Sequence, residues 1–147
     1  MKNKKKYFLY LLLVIWLGII FFFSSQPGEV SLKQSDTIIY KITDIVSKKD
    51  EETKKHLSIK WTFLVRKTAH FLEYFVLGLI IYLVLDIRGI KYLQITAIIL
   101  ALLFASLDEI HQLFVVGRTA KVFDVFIDSI GATVAILGAE FIKKRNK

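Results

Sequence analysis

The sequence predicts an all-α integral membrane protein. Four transmembrane helices form a compact bundle, and an amphipathic helix occupies the outer segment between the first and second. Two observations lead there. The 147 residues are 54% hydrophobic and 14% aromatic, with a mean hydropathy of +0.51. The apolar residues are also gathered into long runs. Tyr7–Phe23, Phe75–Leu85, Tyr92–Leu107 and Ile130–Ala139 carry no charge. A spanning helix needs ~20 mostly apolar residues, within a range of ~17–25. The first run reaches that alone, and the other three reach it by taking in polar residues at one end. A soluble chain of this length would have too little polar sequence to cover four such helices. The helices fall at about 7–23, 62–86, 91–114 and 121–142, in one domain over residues 1–147.

The first helix follows a basic start, KNKKK. Its apolar run is longer than the ~7–15 residues of a signal-peptide core, and no A-x-A site follows it, so a retained helix is the better reading. Pro27, in SSQPGE, marks a turn. Ser35 and Asp36 then have the chemistry of a helix cap, and Ile38, Ile39, Ile42, Ile45 and Val46 share one face of the helix they would start. Two placements fit that helix: flat on the outer membrane surface, or packed on the outer ends of the bundle. KKDEETKKH reads as a solvated charged loop. There is no cysteine, so thiol chemistry is excluded.

Charge sets the orientation. Of the 21 Lys and Arg, ten lie on one side: Lys2 with Lys4–Lys6, then Arg88 and Lys91, then Lys143–Arg145 and Lys147. A bare count divides almost evenly. The rule weights short flanking segments and the first helix, and on that side only Asp86 opposes the cations. Both termini are therefore expected in the cytoplasm. The net charge of +8 reflects orientation and anionic lipid rather than nucleic acid.

Polar residues interrupt the spans at one level. The second helix brings Arg66, Lys67, His70, Glu73 and Tyr74 within about a third of its circumference. The third ends in SLDEIHQLF, with Ser106, Glu109 and Gln112 on one face and Asp108 and His111 on the next. The fourth starts with Asp124 and Asp128, and their stripe continues through Gly131, Ala135 and Gly138, small enough for another helix to come close. Whichever way the chain is inserted, these three clusters lie on one side, and the orientation above makes that the outer leaflet. A charge in hydrocarbon costs ~2.5–3.5 kcal/mol or more, so these groups are expected to face each other or a wet cavity, with Glu109 near His70 or Lys67. Two readings follow: a functional site, or a scaffold in which Arg66, Lys67 and Arg118 neutralise Glu73, Glu109, Asp124 and Asp128.

RKTAHFLEY, ASLDEIHQLFVVGR and DVFIDSIGA, with FSSQPGEVS after the first helix, resemble the VanZ-like membrane proteins. Val116 stands where that family usually has Pro, which should loosen the outer turn, and Asp128 stands where many members have Asn. The resemblance implies a bacterial cytoplasmic-membrane protein. The family's founding member is associated with resistance to teicoplanin, a lipid-tailed glycopeptide acting on cell-wall precursors. The family motif falls on Lys67, His70, Tyr74, Asp108, Glu109, Gln112, Arg118, Asp124 and Asp128, and assigns none of them a catalytic role.

Three functions compete. In the first, an outer pocket binds an amphipathic ligand, either a lipid-linked wall precursor or a lipoglycopeptide, and so contributes to lipoglycopeptide tolerance. Arg118, as a bidentate fork, and Lys67 would then meet phosphate or carboxylate. The second is an enzyme acting on a lipid-linked substrate with His70 or Glu109 as general base. The third is an ion or proton carrier, for which four helices are few. No cofactor is expected and no metal is assigned, although Glu109, Asp124 and Asp128 offer oxygen ligands of the kind that suit Mg or Ca.

Overall fold

The computed structural model describes residues 2–46 and 51–146, with the side chains of residues 2, 38 and 40–60 outside the description. Five helices follow in order: α1 Lys2–Ser24, α2 Gly28–Val46, α3 Glu51–Ile87, α4 Leu93–Gln112 and α5 Val122–Arg145. Among the described residues, four stretches are long and apolar enough to cross a membrane: Asn3–Ser24, Trp61–Ile87, Leu93–Gln112 and Val122–Arg145. The chain is a multi-pass membrane protein. Its large apolar side chains point outward as a lipid-bathed bundle requires; Val14, Ile95, Phe126 and Phe141 are all exposed.

Much of what α4 and α5 turn inward is small. The buried face of α4 is Ala97, Ala101 and Ala105, and that of α5 includes Gly131, Ala132 and Ala135. Between apolar helices in lipid there is little hydrophobic force, so association rests on close van der Waals approach, which small residues permit. Gly78 lies against the Ala132 backbone and Gly131 against the Phe71 backbone, with no room for a Cβ at either. Helices α3 and α5 form the most extensive pairing, and Tyr74, Leu77, Ile81 and Ile136 fill the centre. At the end holding both termini, Lys143 pairs with Asp86, the Tyr82 hydroxyl donates to Glu140 at 2.6 Å, and Arg88 Nε donates to the Tyr10 hydroxyl at 2.6 Å.

Two sequence expectations need correction. Ser35 and Asp36 do not cap the second helix. It starts seven residues earlier at Gly28, just past Pro27, and Ser35 lies inside it with its hydroxyl bonded back to the Ser31 carbonyl at 3.0 Å. A serine inside a helix does this readily. Residues 51–56 of the charged run are also not a loop but the first turns of α3. Glu51 stands four residues before Lys55, an order that favours helix. Of the predicted apolar face of α2, Ile39 is buried, while the side chains of Ile38, Ile42, Ile45 and Val46 lie outside the described residues, as do Lys48, Lys49 and Asp50.

The close approach of α3 and α5 gives a direct test. Gly131→Leu must push the Phe71 backbone away and should destabilise the bundle by about 1–3 kcal/mol or more. Gly138→Leu, where a Cβ meets nothing within 4 Å, should be near neutral. Thermal unfolding of the purified variants in detergent compares the two.

Candidate functional site

The buried stripes that pack the bundle turn polar at one end. On α4 the row Ala97, Ala101, Ala105 continues into Glu109 and Gln112, and on α5 the row Ala135, Ala132, Gly131 runs back into Asp128 and Asp124. All four polar residues are buried. The helix period places them inside: it carries the same face one or two turns further on.

Each finds a different partner. Lys67 of α3 forms an ion pair with Asp124 of α5, and its ammonium also lies over the rings of Phe63 and Phe123, at 5.3 and 5.8 Å from their centroids. His70 Nδ1 stands 3.5 Å from Asp128 Oδ1, too far for a hydrogen bond, and neither Asp128 oxygen has a hydrogen-bond partner among the described residues. Glu109 faces the bundle interior, not lipid. The partner it holds is the main-chain N–H of Lys121, which donates to Oε2 at 2.7 Å, while Oε1 has no hydrogen bond among the described residues. Gln112 Nε2 donates to Asp108 Oδ2 at 3.2 Å. Tyr74 is buried in the centre. Ser106 is half-buried on the same helix, with its hydroxyl donating to the Leu102 carbonyl at 2.9 Å.

Arg118 has a role that sequence spacing did not reveal. Its Nε donates to the Gln26 carbonyl at 3.1 Å and its Nη2 to the Phe23 carbonyl at 3.0 Å. A helix ends with unsatisfied carbonyls, and the guanidinium supplies donors where α1 stops. It does not pair with Asp124, whose cation is Lys67. Burial, then the nearby Arg66 charge, pulls the Arg118 pKa down from its ordinary value, against the pull of Asp108 and Glu109. His111 adds a second link to α1: its Nε2 is 3.0 Å from Ser25 Oγ, and its ring lies 4.5 Å from that of Phe21.

Helix α2 completes the site. Gly28 N–H donates to the Val116 carbonyl at 3.0 Å, and Gly28 is packed so tightly on Gly117 that a Cβ would collide with its carbonyl. Gly117 takes φ +73°, a left-handed conformation that glycine adopts without strain. The Thr62 hydroxyl donates to Asp36 Oδ1 at 2.8 Å, tying α2 to α3. Between α2, the start of the α3 span and the α4–α5 turn lies a cavity of about 400 Å³. Its wall carries Arg66, Lys67, Arg118 and Lys121 against Asp36 and Asp124. A second cavity of about 250 Å³ shares Arg66 and Arg118 with it and reaches inward to His70, Glu73 and Asp108. Among the described residues, no three His, Cys, Asp or Glu converge as a metal site.

Arg66, Lys121 and Asp36 are thus wall residues outside the family motif. Arg66 was visible in the polar stripe of the second span. Lys121 and Asp36 gave no sign, because the position of α2 depends on the Gly28–Gly117 contact.

The Lys67–Asp124 pair generates a prediction. Lys67→Ala leaves Asp124 buried and unpaired and should cost about 3–5 kcal/mol, whereas Lys67→Met with Asp124→Leu replaces both charges and should recover most of that stability. Thermal unfolding of the single and double variants measures the coupling.

Comparison with curated proteins and with solved structures gave no match. Comparison with protein families did: residues 8–143 match VanZ/LLP1. That span takes in the polar ends of α3, α4 and α5, the α4–α5 turn and α2, and the chain belongs to the VanZ/LLP1 family.

Proposed function

We propose that this protein binds the anionic head of an amphipathic, membrane-anchored molecule in the cavity beneath α2, and through that binding contributes to lipoglycopeptide tolerance. The ligand class is a lipid-linked wall precursor or a lipoglycopeptide. One observation carries the reading: the 400 Å³ cavity has four Lys or Arg in its wall and two Asp, one of which already neutralises Lys67. Such a wall has positive charge left over and favours an anion. Volumes of ~300–1,000 Å³ are usual for small-molecule sites. Arg66 and Lys121 are the cations best placed to meet phosphate, since Lys67 holds Asp124 and Arg118 holds α1.

The cationic flanks at Lys2–Lys6 and Lys143–Lys147 favour cytoplasmic termini in a bacterial cytoplasmic membrane. On that orientation the cavity faces the outer leaflet, where wall precursors and lipoglycopeptides meet. Val116→Cys should then react with an impermeant maleimide on intact cells, and Asn146→Cys only after permeabilisation. The reverse pattern would move the cavity to the cytoplasmic side.

A second reading, chemical modification of a lipid-linked substrate, draws on His70. It lines the inner cavity, with the buried carboxylate of Asp128 3.5 Å from its Nδ1. A base with a buried acid beside it is a recurring catalytic arrangement. Under this reading His70→Gln abolishes tolerance while ligand binding persists. Under the binding reading tolerance follows ligand binding in this variant.

The head-group test uses dihexanoyl phosphatidylglycerol, whose short chains add little apolar contact. Arg66→Gln and Lys121→Gln should each weaken its binding about fivefold, the effect of ~1 kcal/mol per interfacial cation. Calorimetry on detergent-purified protein reads this, and unchanged affinity in both variants would refute the cavity as the head-group site.

A further inference from the structure

A third cavity, of about 460 Å³, lies between α1 and α4, which meet only sparsely. Leu17 and Gly18 form one wall, Phe104 and Leu107 the other, and Tyr74 is part of its lining. Its outer residues Phe21 and Leu107 are exposed to the surroundings of the bundle. The groove therefore opens sideways, toward hydrocarbon. It is apolar except for Asp108 and His111.

Two further observations separate it from a simple packing gap. Asp108 belongs to this groove and also to the inner polar cavity that holds Arg66 and Arg118. An apolar groove and a polar chamber thus share one wall residue, and that chamber shares Arg66 with the cation-rich cavity beneath α2, so a tail in the groove and an anionic head beneath α2 are joined by one continuous path. Gly18 is the second observation. It stands among large neighbours, Leu17, Ile19 and Ile20, and a Cβ there would meet nothing within 4 Å. No packed backbone explains the glycine, unlike Gly78 and Gly131. With no side chain at Gly18, the α1 wall of the groove is low at that point.

We propose that the α1–α4 groove holds one acyl chain of an anionic membrane lipid, with the lipid's head passing Asp108 toward Arg66 and the cavity beneath α2. This rests on the head-group reading above and adds the tail to it. The head enters from the side of the bundle, and the chain never leaves hydrocarbon. The rim at Phe21 and Leu107 is where the lipid crosses.

The absence of cysteine makes single-thiol labelling direct. Leu107→Cys places a bimane label in the groove. Leu137→Cys places one on α5, where Leu137 is exposed and outside the groove. The proteins are reconstituted in phosphatidylcholine nanodiscs, and phosphatidylglycerol with brominated chains is titrated in. The Leu107→Cys label should be half-quenched at roughly tenfold lower mole fraction than the Leu137→Cys label, a preference of about 1.4 kcal/mol. Gly18→Phe should abolish that difference and Gly138→Phe, also made where a Cβ has open space, should keep it. Parallel quenching of the two labels overturns the proposal, and if dihexanoyl phosphatidylglycerol still binds, the head-group reading survives that failure. Equal early quenching by brominated phosphatidylcholine overturns the anionic assignment instead. Disulfide-linked dimers of unlabelled Leu107→Cys protein, with no preferential quenching, would show that a second copy fills the groove and would overturn the lipid. The label comparison stands without the Gly18→Phe variant, should that variant fail to fold.

Discussion

The ion pair between Lys67 and Asp124 is the contact on which the polar end of this bundle depends. It joins α3 to α5, the two helices that pack most extensively. A lone ammonium or carboxylate at that depth would be expelled from hydrocarbon or would draw water in. Paired, the two charges let a row of small residues carry on into ionisable ones without the helices parting. The backbones of α3 and α5 already touch at Gly78 and Gly131, so the pair is held in register by packing on the membrane side. The two phenomena are one design: close approach brings the charges together, and their pairing allows the close approach to extend to the interface.

The rest of the site is built outward from that junction. Lys121, just before α5, donates its main-chain N–H to Glu109 and so fixes the end of α4 to the start of α5. The turn between them is held in turn by Arg118, which reaches the carbonyls at the end of α1. Helix α2 then lies against that turn through Gly28 and Gly117. The cavity is the space these contacts leave. Its cations are not free to neutralise one another's surroundings, because Arg118 and Lys67 are already held by α1 and α5. That leaves a positively charged chamber whose shape is set by backbone contacts.

Much of this was legible in the sequence, for physical reasons that differ by element. The four spans were readable because hydrocarbon demands long apolar runs, and the shared level of the polar clusters followed from topology alone. The burial of Glu109, Asp124 and Asp128 followed from the cost of exposing acids to lipid. Their partners did not follow. Glu109 bonds a backbone N–H, which has no sequence identity, and Asp124 takes Lys67 rather than Arg118 because Arg118 is turned toward α1. The start of α2 was misplaced because Ser35 and Asp36 have the chemistry of a cap, while the true start rests on the contact of Gly28 with Gly117, far along the sequence. The extension of α3 to Glu51 was missed because a charged run reads as loop until its i,i+4 spacing is weighed.

The central claim is that the cavity beneath α2 selects an anionic, membrane-anchored molecule. The most direct measurement is mass spectrometry of the intact protein purified gently from its own membrane, with the retained lipids identified and counted. The account predicts one anionic or lipid-linked molecule retained per chain, enriched over its share of the membrane. Neutral lipids retained in membrane proportions, or no lipid retained by protein that is folded, would contradict it.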